Sequence, residues 1–186
     1  METLHALKAI NSRMRRLSFW AGVFAVAAPE GPLRGQLRGQ LRAGTVVTSA
    51  SVDEDEGAWF TLLDGFWRRM AVESPWPALA APPPDELGFR LLSRRQAWEE
   101  TLRGAIAFGP VAGRARRLAD IRAELHRAFR ALGHHDQPRD GFAPFQPLRR
   151  QGEGWRHEHP GACAVANALV VVTPHVLACI FTGEDD

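Results

Sequence analysis

The residues best suited to metal or nucleophilic chemistry sit late in the chain. Five of the seven histidines fall between positions 134 and 175, and the tightest grouping is His157-x-His159-x-x-x-Cys163. Imidazole and thiolate are good Zn²⁺ ligands, and loop residues two and four apart can share one ion. His134, His135 or Asp136 would complete a tetrahedron. The candidate metal set is therefore His157, His159, Cys163 and His135, with zinc as the one cofactor the residues suggest. Neither Cys-x-x-Cys nor His-Glu-x-x-His accompanies them, so ordinary loop histidines explain the same spacing. Cys163 follows Pro160-Gly161 and would be activated if it opened a helix beside a base such as His157, His159 or His175. Its neighbourhood, GACAVA, also fits a plain buried thiol.

A second set of residues has a different chemistry. The chain holds one lysine, Lys8, so 22 of its 23 Lys+Arg residues are arginine. Arginine forks onto phosphate and carboxylate and stacks on aromatic rings in ways lysine does not. Arginine-favouring codon usage gives the same composition without any ligand. The arginines recur in rows. Residues 33–44 read LRGQLRGQLRAG, so Arg34, Arg38 and Arg42 step by four beside Leu33, Leu37 and Leu41. Residues 111–135 carry Arg114, Arg116, Arg117, Arg122, Arg127 and Arg130 against only Asp120 and Glu124. These nine arginines are the candidate phosphate-contacting residues, and a solvated charged face is the plain alternative. Arg122 with His126, and Arg127 with His134, match only loosely the paired Arg and His of some RNA-cleaving helices. No Gly-Lys-Ser/Thr follows a strand, so no nucleotide-hydrolase loop is present.

The elements that must hold these residues follow from periodicity. Leu118, Ile121, Leu125, Phe129 and Leu132 trace one stripe, predicting a helix over 112–132 with Pro110 before it and Gly133 after it. Leu4, Leu7, Ile10, Met14 and Leu17 predict another over 3–16, its last turn loaded with Arg13, Arg15 and Arg16. A third, over 57–72, presents Trp59, Leu62, Leu63, Phe66, Trp67 and Met70, and the acidic run Asp53–Glu56 suits its N-terminus better than it suits a metal. Ser93-x-x-Gln96 has the form of a capping box and opens a fourth helix over 94–107. Thr45–Val52 is β-branched and reads as a strand, and so do 168–173 and 176–182, split by Pro174. Residues 19–28 are apolar without a clear period, a buried strand or helix.

The chain thus reads as one α+β domain over 1–186. About four helices pack on a small sheet, with a proline-rich connector at 74–85 and a long loop or flap at 133–161 before the two last strands. Hydrophobic residues are 45% and charged residues 24%, enough apolar side chains for a core, and the net charge of +2 is too small to announce a nucleic-acid binder by bulk charge. Two cysteines, Cys163 and Cys179, do not make a disulfide scaffold at this length and fit a reducing, cytoplasmic setting, or at most one bridge. Residues 13–28 resemble a secretory signal, the exported alternative. The apolar run is shorter than the roughly 20 residues a membrane span needs. The expected function is a non-catalytic subunit of a larger assembly that binds RNA or DNA through its arginine faces. The alternatives are a metal- or Cys-dependent enzyme using the His/Cys loop, and a structural subunit contacting only protein.

Overall fold

The computed structural model describes residues 2–17, 21–29, 42, 44–50, 54–73, 88–93, 95–97, 99, 114–133, 146–151 and 166–183. In chain order these form α1 (Glu2–Leu17), β1 (Ala21–Ala27), β2 (Val46–Thr48), α2 (Glu54–Glu73), β3 (Gly88–Leu91), α3 (Arg114–Ala131), β4 (Gln146–Gln151), β5 (Ala166–Val172) and β6 (Val176–Gly183). The strands make one antiparallel sheet in the order β1-β6-β5-β4-β3-β2. The class is α+β.

Strand alternation sorts the sheet's side chains onto two faces. Val23, Leu169, Val171, Val176, Ala178 and Ile180 point one way, into a core closed by Leu7, Ile10 and Met14 of α1 and by Ile121, Leu125, Ala128 and Phe129 of α3. Val26, Val170, Val172, Leu177, Cys179 and Phe181 point the other way, onto Trp59, Leu63, Phe66, Trp67 and Met70 of α2. The molecule is therefore three layers, α1 with α3, then the sheet, then α2. β5 and β6 are covered on both sides, which is why they read as nearly continuous apolar runs. Each of the three helices supplies the stripe its spacing predicts, with Leu4, Leu17, Leu62 and Leu118 only partly buried.

Local chemistry sets several element ends. Ser93 and Gln96 form a reciprocal capping box: the Gln96 N–H donates to Ser93 Oγ at 3.2 Å and the Ser93 N–H to Gln96 Oε1 at 2.9 Å. Arg95–Ala97 and Glu99 are helical, and the rest of the helix expected over 94–107 lies outside the described residues. α3 stops at Gly133, whose φ of 90° is the left-handed value that glycine adopts without steric cost, and whose N–H donates to the Arg130 carbonyl at 3.0 Å. At the sheet edge, the N–H of Val23 in β1 donates to Asn11 Oδ1 of α1 at 3.0 Å, so a side chain satisfies one group that an edge strand leaves open.

The sheet differs from expectation in three ways. Among the described residues it has six strands, where the sequence reading names three and leaves residues 19–28 open between strand and helix. The strand expected over 45–52 shortens to Val46–Thr48, with turn geometry at 49–50. The expected long loop at 133–161 contains β4, a strand that sequence pattern does not suggest because Pro147 lies in it. Residues 146–149 of β4 pair with β5 and residues 148–151 with β3, and Pro147 opposes Val171 beyond the point where β3 ends at Leu91. Its missing N–H therefore breaks no bond to β3, the condition under which a strand tolerates proline. β3 itself, GFRL, is too short to register as a pattern. Ala21–Ala27, within the apolar run that resembles a signal segment, is strand β1, paired along its length with β6.

Candidate nucleic-acid interface

The two helical layers carry opposite charge. α1 and α3 together hold ten basic residues (Lys8, Arg13, Arg15 and Arg16, with the six arginines of α3) against three acidic ones, Glu2, Asp120 and Glu124, a net of +7. α2 holds five acidic residues against Arg68 and Arg69, a net of −3. Because α1 and α3 lie on the same face of the sheet, their outer surfaces are parts of one layer.

The state of the cations differs too. On α2, Arg68 donates to Asp64 at 2.7 Å and Arg69 to Glu73 at 2.7 Å, both pairs one turn apart on the same helix. Arg95, in the helical residues after β3, pairs with Glu99 at 2.8 Å, and the hydrogen bond and charge of that carboxylate raise the guanidinium's pKa above its ordinary value. On the α1/α3 layer, Lys8, Arg15, Arg16 and Arg130 are exposed and have no ion pair among the described residues. Unpaired cations can turn all their donors onto a phosphate, whereas paired ones offer only the donors their carboxylate leaves free.

One cluster on this layer is different. Glu124 of α3 is buried, with its side chain 6% exposed, and takes Arg13 of α1 at 3.0 Å and Arg127 one turn along α3. Both arginines remain about half exposed. This three-residue cluster spans the seam between the helices. Arg122, on another side of α3, is half-buried, and its Nε is enclosed with no hydrogen-bond partner among the described residues. Two of the arginines expected as free phosphate contacts are thus partly committed to the fold.

The remaining sequence candidates fall as follows. The backbone of Arg114, Arg116 and Arg117 forms the first turn of α3. Arg42 is exposed beside the β2–β3 pair, where its carbonyl accepts the Thr45 N–H at 2.9 Å. That is the edge of the sheet opposite β1, on which α1 packs, so Arg42 does not extend the α1 surface. Arg34 and Arg38 lie outside the described residues. So do His134, His135, Asp136, His157, His159 and Cys163, the metal set and the candidate nucleophile; of the candidate bases His175 alone is described, exposed in the turn between β5 and β6. Among the described residues, no group of three or more His, Cys, Asp or Glu could hold a metal ion. Cys179 is fully buried between β6 and α2. His126 is exposed on α3. No described helix is long and apolar enough to cross a membrane.

The site expected from sequence includes the α3 arginines but not Arg13, Arg15 and Arg16. Their signal is present in the charge of α1. What joins the two helices into one surface is their packing on a common face. Comparison of the chain with family models, with curated proteins and with solved structures gave no match.

Proposed function

We propose that this chain is a non-catalytic subunit, working within a larger assembly, that binds nucleic acid along its phosphate backbone through the α1/α3 layer. The observation that carries the reading is the separation of charge, +7 on α1 and α3 against −3 on α2, in a chain whose net charge is only +2. A near-neutral protein with one cationic face steers a polyanion to that face and leaves the other free for partner subunits. Arg15, Arg16 and Arg130 are the expected primary contacts because no carboxylate among the described residues holds them.

Backbone binding of this kind is strongly salt-dependent, because each neutralised phosphate releases condensed counterions. Fluorescence anisotropy with labelled single strands and duplexes across a salt series tests it. A linear fall of log affinity with log salt is expected, with a slope of roughly 0.7 per neutralised phosphate on single strands and 0.9 on duplex. Wild-type protein that retains neither RNA nor DNA at low salt would remove the reading and turn the cationic layer toward an acidic protein partner instead.

A further inference from the structure

We propose that Glu124 is a positioning residue for a phosphate seat at the seam of α1 and α3, in which Arg13 and Arg127 together receive one backbone phosphate. The inference rests on the nucleic-acid reading above and adds to it a defined contact point and a role for an acidic residue inside a cationic surface.

The geometry is asymmetric in a useful way. Arg13 reaches the carboxylate through Nε alone, 3.0 Å from each oxygen. Arg127 reaches Oε1 through Nη1. A guanidinium carries five N–H donors, so each arginine keeps most of its donors uncommitted. Neither has another partner among the described residues. Glu124 is buried, while the two arginine side chains are 44% and 57% exposed. The carboxylate is therefore the floor of the cluster and the guanidinium groups are its rim. Two cations held on one carboxylate leave a net +1 and repel one another. A phosphodiester, with two non-bridging oxygens that share one negative charge and are open to planar forks, matches the donors left over and offsets that repulsion. Holding both long side chains on one anchor also lowers the rotamer entropy lost when they close on a ligand. The two arginines come from different helices, so the seat exists only when α1 and α3 are docked.

The test exploits a sign. Glu124→Gln removes a negative charge from a surface that binds a polyanion, so electrostatics alone predict tighter binding. Positioning predicts the reverse, a loss of about tenfold, the scale of one hydrogen bond to a charged group. The probe is a fluorescein-labelled, mixed-sequence single strand of about 20 nucleotides, longer than a typical single site. Binding is read by anisotropy well below each variant's melting temperature. Arg127→Lys is measured beside it, since lysine keeps the charge and loses the fork. The expected result is weaker binding by both variants, with the salt slope of Arg127→Lys unchanged. Equal or tighter binding by Glu124→Gln overturns the proposal while leaving the wider reading intact. If Glu124→Gln does not fold, Arg127→Lys decides, and wild-type affinity there overturns it. A wild-type protein that fails to bind the strand removes the wider reading first, and this one with it.

Discussion

The two helical layers are built by the same rule and finished differently. α2 and the α1/α3 pair each bury an apolar stripe against the sheet, and each stripe includes residues wholly removed from solvent, Trp59 and Leu63 on one side and Leu7 and Leu125 on the other. Their outer faces diverge. α2 neutralises its own arginines with carboxylates four residues away, an arrangement worth about 0.3–0.5 kcal/mol per pair and complete within one helix. The α1/α3 layer places its one buried carboxylate beneath two arginines and leaves Arg15, Arg16 and Arg130 with none among the described residues. Burial thus says nothing about which face meets a partner; the pairing of charge does. A surface whose cations are already satisfied is finished, and one with excess unpaired cations is available to an anion.

The strongest way to break the comparison is through the stripes. Leu125→Ala and Leu63→Ala should each cost about 2–5 kcal/mol in denaturant unfolding, as for other fully buried leucines. Similar losses would show that both layers are equally part of the fold. A value near zero for either would mean that its layer does not pack as described.

Next in size is the seam. Replacing Arg127 leaves the buried Glu124 with Arg13 as its one described partner and should cost roughly 1–3 kcal/mol, the usual consequence of a weakened buried acceptor. The exchange of Arg127 should therefore also lower the melting temperature, whereas Arg122, whose enclosed Nε has no partner among the described residues, loses no hydrogen bond on exchange. Unchanged thermal stability of Arg127→Gln would show that this arginine is not tied into the fold.

The sharpest probe of the charge contrast is a matched pair of surface variants. Arg15→Gln with Arg16→Gln and Arg130→Gln should reduce the single-strand salt slope by about 0.7 for each phosphate that is no longer neutralised. Arg68→Gln with Arg69→Gln on α2 should leave affinity and slope where they were. Equal effects from both sets would mean that overall charge, not the α1/α3 face, governs binding. The smallest expected effect belongs to the capping box, where Ser93→Ala should cost about 1 kcal/mol and leave binding unaltered.

Much of this molecule is set by local chemistry and is readable without a structure. The stripes of α1, α2 and α3, the capping box at Ser93 and Gln96, the stop at Gly133 and the β5–β6 hairpin around Pro174 all follow from interactions within a few residues. These are governed by helix and strand periods, side-chain-to-backbone bonds and allowed φ values. The charge of each helix is readable in the same way. Tertiary structure alone decided what required distant segments to meet. β3 and β4 exist because the sheet supplies partners on either side, which four residues of GFRL or a segment containing Pro147 cannot announce. Glu124 and Arg13 stand 111 residues apart and become one cluster only when α1 and α3 dock on the same face. The sequence held both cationic helices; their meeting as one surface, with a buried carboxylate between them, was decided by which face of the sheet each stripe had to cover.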